Sequence, residues 1–152
     1  MSAAPPSPAI RYRSLRPEDF PDLRALWERA GLPHRPRGRD TAEAIARACR
    51  AHPDLVLAAE TAGRLVGAVL GSHDGRKGWI NRLAVDPEYR RRGIARELLA
   101  RVEAALHRRG ITVIGLLVEA DNQAAQRFFT QAGYRSHAAE VLYFSRHRSP
   151  DD

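Results

Sequence analysis

The order of hydrophobic and polar positions in the first third of the chain predicts one strand followed by two helices. Residues 10–15, IRYRSL, alternate apolar and polar side chains as a half-buried strand does. The next apolar residues recur at helical spacing, and Gly31 follows the last of them, where helices commonly end. After a loop rich in Pro, Gly and Arg, Asp40 or Thr41 can cap a second helix, which must end before Pro53.

The middle of the chain predicts a hairpin, a further strand and a long helix. The apolar segments LVLAAE and LVGAVLGS flank TAGR, in which Gly63 supplies a turn position of positive φ. A turn at HDGRKG leads into the strand WINRLAV. From Gly93 onward the apolar residues form one helical stripe, which ends at Gly110.

The last third predicts a buried strand, a short helix and two final strands. ITVIGLLV is a nearly unbroken apolar run, which is typical of a strand covered on both faces. NQAAQRFFTQAG predicts a short helix that ends at Gly133, and YRSHA and VLYFSR predict the two final strands. The fold class is therefore α/β (α+β): a mixed, mostly antiparallel central sheet with helices on both faces and a strand-helix-strand-helix core over about residues 78–132.

Length and composition indicate one soluble domain. The 152 residues are 43% hydrophobic and 28% charged, which disfavours both a disordered chain and a membrane protein. We expect a disordered leader over residues 1–9, a single domain over 10–148 and a tail over 149–152; the leader lacks the layout of a secretory signal. Cys49 is the single cysteine, which suits a reducing cytoplasm, and its alanine-rich helical surroundings favour a buried packing role.

The charge and the histidines narrow the choice of ligand. The formal net charge of +7 invites a nucleic-acid ligand, but the 24 arginines and Lys77 are spread along the whole chain with acids between them. A small polyanionic ligand needs only a local cluster of positive charge and fits the sequence better. The six histidines are scattered without metal-ligand spacing, so we expect no metal site.

RRRGIA, residues 90–95, stands where the strand WINRLAV gives way to the long helix. A helix start leaves about four amides without intrahelical partners and carries roughly half a positive charge, so arginines there oppose the helix dipole. An anion in the turn would explain this arrangement, and Gly93 and Ala95 leave room for close approach of the backbone. A pyrophosphate cradle and a solvated basic loop fit these six residues equally well, and both stay open at this point.

Two longer motifs surround this stretch. Residues 122–134, NQAAQRFFTQAGY, resemble a segment of the Gcn5-related N-acetyltransferase (GNAT) family, Asn-x-x-Ala-x-x-Phe-Tyr/Phe followed by Gly-Phe/Tyr. Residues 83–99, LAVDPEYRRRGIARELL, resemble the family's acetyl-CoA signature, with matches at Val85, Pro87, Tyr89, Arg90, Gly93, Ala95, Leu98 and Leu99. Because the two motifs occur in the right order and the likeness extends over nearly the whole chain, the sequence resembles a small, bacterial-type, single-domain GNAT protein.

The resemblance implies the acyl-CoA N-acyltransferase fold and a set of cofactor-binding residues. The end of the fourth strand would pair its backbone with the pantetheine arm, and backbone amides of residues 91–96 would hold the pyrophosphate. Asn122 would hydrogen-bond the pantetheine arm and Phe129 would line the channel, whereas Phe128 is interpreted as core packing. The implied cofactor-binding residues are Leu83, Ala84, Val85, Arg90, Arg91, Arg92, Gly93, Ile94, Ala95, Arg96, Asn122 and Phe129.

The sequence departs from the family where many relatives carry proton-transfer groups. Phe129 stands where they have a tyrosine that protonates the leaving thiolate, and Leu117 stands where some have a glutamate base. The catalytic acid and base are therefore left unassigned. Glu119, Tyr134, Tyr143, Tyr89 and Asp74 are the substitutes that we considered.

The resemblance implies transfer of an acetyl group from acetyl-CoA, as co-substrate, to a primary amine of a small molecule or to a protein N-terminus or lysine. We expect no metal and no membrane partner, and whether the chain acts alone or as a homodimer is open. A carboxylate-bearing acceptor would suit the arginines at positions 35, 37 and 39. The alternatives are an acyl-CoA-binding sensor or structural partner with weak catalysis, and a basic RNA-associated module.

Overall fold

A five-stranded sheet lies at the centre of the protein in the computed structural model, which describes residues 3–4 and 8–152. The strands follow one another across the sheet in chain order, and only the last pair, β4 and β5, is parallel. Their bounds are β1 (Arg11–Ser14), β2 (Val56–Thr61), β3 (Arg64–His73), β4 (Lys77–Val85) and β5 (Val113–Leu116). The predicted mixed, mostly antiparallel sheet is confirmed.

In the described part of the chain, four α-helices cover the two faces of the sheet. They are α1 (Phe20–Ala30), α2 (Ala42–Ala51), α3 (Ile94–Arg108) and α4 (Gln123–Gln131). Side chains of β2 alternate between the faces, so Val56 and Ala58 pack in the core of α1 and α2, while Leu57 and Ala59 pack in the core of α3. Cys49 on α2 is buried in the first of these cores, as predicted, and burial raises the pKa of its thiol.

Glycines let α3 lie close to the sheet. A Cβ atom on Gly67 of β3 would stand 2.8 Å from Cγ2 of Ile94, and one on Gly71 would stand 2.7 Å from Cγ1 of Val102. Any larger residue at these positions would push the helix outward. The glycines thus fix the N-terminus of α3, where Ile94 is buried, against the sheet beside the end of β4.

The predicted helix ends and hairpin turn are confirmed. Gly31 ends α1 in the left-handed region with φ +68°, and Gly63 does the same in the β2–β3 turn with φ +72°. Thr41, one of the two candidate caps, accepts a hydrogen bond from the amide of Ala44 at 3.2 Å at the start of α2.

The two predicted final strands are wrong. Among the described residues, 135–148 form no strand, and the apolar stretch 141–144 is exposed. The amides of Glu140 and Val141 both bond to the carbonyl of His137 at 2.9 Å, so a local turn replaces strand pairing. The expected coverage of β5 on both faces is also wrong, because Val113 is 53% exposed and the other residues of the strand are only partly buried.

The two ends of the sequence differ in how far the structure describes them. The predicted leader, residues 1–9, lies for the most part outside the described residues. Residues 149–152 are described and contact the loop between α1 and α2, where Arg37 pairs with Asp151 at 2.9 Å. Within the described part of the chain, none of the helices is long and apolar enough to cross a membrane.

Candidate active site

The parallel pairing of β4 and β5 ends before β4 does. Its last pair joins Ile80 to Leu116, where Gly115 lies under the ring of Trp79, whereas β4 continues to Val85, still paired with β3. Among the described residues, the side of β4 that faces away from β3 therefore has no strand partner over residues 81–85. Unpaired peptide groups at a strand edge can bind an extended chain, and the predicted pantetheine-binding residues 83–85 lie in this stretch.

A bulge interrupts β4 at Arg82, just before these residues. The β3–β4 register shifts there, and Arg82 adopts a left-handed conformation with φ 52°. Its guanidinium donates to the buried Asp40 at 2.9 Å, which ties the loop between α1 and α2 to the bulge. Sequence reasoning missed this contact, because its two residues lie 42 positions apart.

The turn that leads into α3 has backbone donors without partners. Gly93, with φ +75°, is the N-cap of α3 and provides no side-chain cap. In the described part of the chain, the amides of residues 91–96 donate no hydrogen bond, and the first bond of the helix runs from Glu97 to the carbonyl of Gly93 at 3.0 Å. A Cβ atom on Gly93 would meet nothing within 4 Å, so the turn is open. This geometry suits an anion.

The positive charge around this turn is not neutralised by the protein. Arg90, Arg91 and Arg92 are exposed, and Arg92 stacks 4.9 Å from the centre of the Tyr89 ring. In the described residues, no acidic side chain lies within 4.0 Å of the nitrogens of these arginines or of Arg96. The anion-binding interpretation is therefore favoured over a solvated loop, since an uncompensated cluster beside free amides attracts a polyanion.

A buried carboxylate anchors the entrance to the turn. Asp86, whose side chain is 2% exposed, accepts hydrogen bonds from Arg29 Nε at 2.9 Å, from Arg64 Nη2 at 3.1 Å and from the amide of Glu88 at 2.9 Å. Burial alone would raise the pKa of Asp86, but the Glu88 amide and the Arg29 guanidinium outweigh it and hold that pKa below its usual value. Sequence reasoning missed this cluster, although an aspartate between a strand and a proline is a capping signal.

The second motif lies at the start of α4. Asn122 is exposed and caps this helix, because its Oδ1 accepts a hydrogen bond from the amide of Ala125 at 3.1 Å. Phe129 packs edge to face with Phe128 at 5.1 Å and with Tyr134 at 5.6 Å, beside the core under α3. Core packing is thus observed for both phenylalanines, and the cofactor contacts of Asn122 and Phe129 stay predictions.

The residues considered as proton-transfer groups lie in different settings. Asp74 caps the β3–β4 turn, accepting from the amides of Arg76 and Lys77 at 2.8 Å each. Tyr134 has a buried hydroxyl, and burial together with the neighbouring Glu103 raises its pKa, so the phenol stays protonated. The other residues in this set are Tyr89, stacked on Arg92, and the exposed Glu119 and Tyr143. Leu117, which stands where some relatives have a glutamate, is 65% exposed. Within the described residues, no group of three or more His, Cys, Asp and Glu side chains could hold a metal ion.

Comparison with known proteins decides the family. Residues 13–134 match the Acetyltransferase (GNAT) family. The chain belongs to this family. An acetyltransferase of Sodalis glossinidius, SG1711, is 39% identical over 137 residues, which cover 90% of this chain and 95% of that protein. The GNAT protein described here is therefore an acyltransferase.

Solved structures share the fold of this GNAT protein. The PaiA N-acetyltransferase of Thermoplasma acidophilum in complex with coenzyme A superposes with a TM-score of 0.74 at 22% identity, covering 84% of this chain and 90% of that one. The diaminobutyrate acetyltransferase EctA of Paenibacillus lautus, in complex with L-2,4-diaminobutyric acid and coenzyme A, gives 0.67 at 22% identity, covering 82% and 75%. The acyl-CoA N-acyltransferase fold predicted from the two motifs is confirmed.

Proposed function

We propose that this GNAT protein transfers an acetyl group from acetyl-CoA to a primary amine of a small molecule or of a protein. The observation that carries the proposal is that two sets of backbone groups without hydrogen-bond partners follow each other closely along the chain. The free edge of β4 at residues 83–85 leads within a few residues to the unpaired amides of residues 91–96. One extended, diphosphate-bearing ligand fits both surfaces, and the coenzyme A in the PaiA and EctA structures supports this choice.

The residues of this chain have separate tasks toward that ligand. The backbone of residues 83–85 would pair with the pantetheine arm, as a strand pairs at a sheet edge. The amides of residues 91–96 would bind the diphosphate, and the side chains of Arg90, Arg91, Arg92 and Arg96 would add charge-assisted bonds. Asn122 keeps an amide nitrogen free for the pantetheine arm while its oxygen caps α4.

The acetyl thioester supplies an activated acyl carbon, which the nitrogen of the amine attacks. A carbon–nitrogen bond forms and the carbon–sulfur bond breaks. The amine loses a proton and the leaving thiolate gains one. A protein α-amine has a pKa of about 8 and a lysine amine one of about 10, so the acceptor must be deprotonated before attack. Because Phe129 and Leu117 have no ionisable group, we assign the rate enhancement to positioning of the amine against the thioester, with water transferring the proton. Positioning alone can supply effective molarities of roughly 10⁵ M.

A catalytically weak acyl-CoA sensor is the second candidate, and the same two residues, Phe129 and Leu117, favour it. An RNA-associated module is the third candidate, favoured only by the formal net charge of +7. A reducing compartment such as the cytoplasm suits the single buried thiol of Cys49 in each case.

The proposal is tested by calorimetry with acetyl-CoA, followed by detection of free thiol in a panel of primary amines. We expect saturable binding of acetyl-CoA and amine-dependent thiol release. Binding without release from any amine favours the sensor, and absence of binding together with salt-sensitive RNA affinity favours the RNA module. Oligomeric state is read in the same samples by light scattering, which decides between a monomer and a homodimer.

A further inference from the structure

The loop between α1 and α2 presents positive charge beside the edge of β4 that is predicted to bind the pantetheine arm. We call residues 33–40 the arginine loop, because it carries the exposed side chains of Arg35, Arg37 and Arg39. Asp40 holds the loop in place, accepting a bond from the Arg35 amide at 2.5 Å and another from Arg82 Nη2 at 2.9 Å. Since Arg82 directly precedes residues 83–85, the loop lies beside the free edge of β4, where the pantetheine arm is predicted to bind.

An acidic stretch of the same chain is seated on this loop. We call residues 149–152, Ser-Pro-Asp-Asp, the acidic segment. Asp151 pairs with Arg37 at 2.9 Å, and Asp152 accepts bonds from the amides of Arg148 and Ser149 at 2.9 Å each, which folds the segment into a turn. The contact is more than an ion pair, because the backbone of the segment also packs on the loop.

Gly38 provides the seat for that backbone. A Cβ atom there would overlap the carbonyl oxygen of Asp151 and would stand 2.8 Å from Cα of Asp152. The loop thus combines a bare backbone position with flanking arginines. A short acidic peptide satisfies both features, whereas a free carboxylate ion would use only the charge.

We infer that the arginine loop is a binding site for an acidic peptide stretch of the acceptor, and that the acidic segment occupies this site in the free protein. The inference rests on the proposed function, because it adds that the acceptor carries acidic residues near the amine that is acetylated. The acidic segment then acts as an internal competitor for acidic acceptors and leaves cofactor binding untouched.

The acidic segment is easily displaced from the arginine loop. The side chains of Arg37 and Asp151 are 82% and 43% exposed, and exposed ion pairs contribute little because water and salt screen them. Losing this pair should therefore raise the affinity for a competing acidic peptide by about two- to fivefold. A stronger contact would keep the acidic segment bound and would leave the arginine loop closed to an acceptor.

The test is a chemical-shift titration of the CoA-loaded protein with a blocked Ser-Pro-Asp-Asp peptide, which has no free amine and cannot be acetylated. Wild type should bind the peptide weakly, Asp151→Asn should bind it about two- to fivefold more tightly, and Arg37→Gln should bind it more weakly than wild type by at most about fivefold. The matched controls are Asp22→Asn, an exposed acid on α1, and Arg11→Gln, a 75% exposed arginine on the opposite edge strand. Both controls should leave the affinity at the wild-type value.

Two results would overturn the inference. One is equal binding of Ser-Pro-Asp-Asp and its amide counterpart Ser-Pro-Asn-Asn, or absence of binding for both. The other is an unchanged affinity in Asp151→Asn. CoA affinity, measured in parallel for each variant, reports on the proposed function separately: its loss would end that proposal, whereas the peptide titration judges the arginine loop.

Discussion

Replacing Asp86 by asparagine should destabilise the protein far more than an isosteric change usually does. Asparagine keeps the size of the side chain and can still accept the hydrogen bond of the Glu88 amide through its single oxygen. Its NH₂ group would then face Arg29 and Arg64, two donors that now bond to a carboxylate oxygen at 2.9 and 3.1 Å. The variant therefore loses two charge-assisted bonds in a buried position.

The size of the effect follows from burial. A hydrogen bond to a charged group contributes about 1.5–3 kcal/mol, and breaking a fully buried ion pair costs about 3–5 kcal/mol. The side chains of Arg29 and Arg64 are 33% and 48% exposed, so water can replace part of what they lose. We expect the free energy of unfolding to fall by about 2–3 kcal/mol, which for a chain of this length lowers Tm by about 5–10 °C.

Urea unfolding followed by circular dichroism measures this loss, and Asp54→Asn is the matched control. Asp54 also accepts two bonds from one arginine, Arg109, both at 2.8 Å, but its side chain is 44% exposed. The control should cost less than about 1 kcal/mol. Equal losses in the two variants would refute the reasoning, because burial would then play no part in the difference.

Four further predictions follow from the same contacts. The difference in unfolding free energy between wild type and Asp86→Asn should be constant from about pH 5 to 7 and should shrink as the pH falls below about 4. The pKa of Asp86 is lower in the folded than in the unfolded protein, so its carboxylate stabilises the fold above the unfolded pKa and loses this effect as it becomes protonated; a pH-independent difference would contradict this. Gly93→Glu should abolish CoA binding while the fold survives, whereas Gly63→Glu, which shares the left-handed φ and the open surroundings, should keep CoA affinity; retained binding in Gly93→Glu would exclude the cradle. Asn122→Ala should weaken CoA binding a few fold and cost about 1 kcal/mol as a lost cap, and Asn122→Ser should restore the stability alone; an unchanged CoA affinity in both would remove Asn122 from the site. Cys49, 6% exposed and with a raised pKa, should react with a thiol reagent only as fast as the protein opens, and rapid labelling of the native protein would disprove its burial.

Local signals in the sequence predicted most of the fold. Gly31, Thr41 and Gly63 mark element ends through φ preferences or capping that depend on a few neighbouring residues, and each lies where the pattern placed it. The apolar stripe of α3 and the alternation over residues 10–15, where β1 lies, likewise depend only on periodicity. The family was also within reach, since both motifs are contiguous stretches of sequence.

What the sequence did not predict depends on contacts across the chain. The apolar run over residues 141–144 resembles a strand, but a strand also needs a neighbour, and in the structure this stretch has none among the described residues. The links from Asp40 to Arg82 and from Asp86 to Arg29 span 42 and 57 positions. No pattern in a single sequence identifies which of 24 arginines meets which acid.

The central claim is that unpaired amides at the start of α3 bind the diphosphate of an acyl-CoA. A crystal structure of the protein with coenzyme A tests it most directly. We predict diphosphate oxygens within about 3.2 Å of at least two amide nitrogens of residues 91–96. A bound coenzyme whose diphosphate lies elsewhere, with that turn bare or its amides bonded to protein groups, would contradict the account.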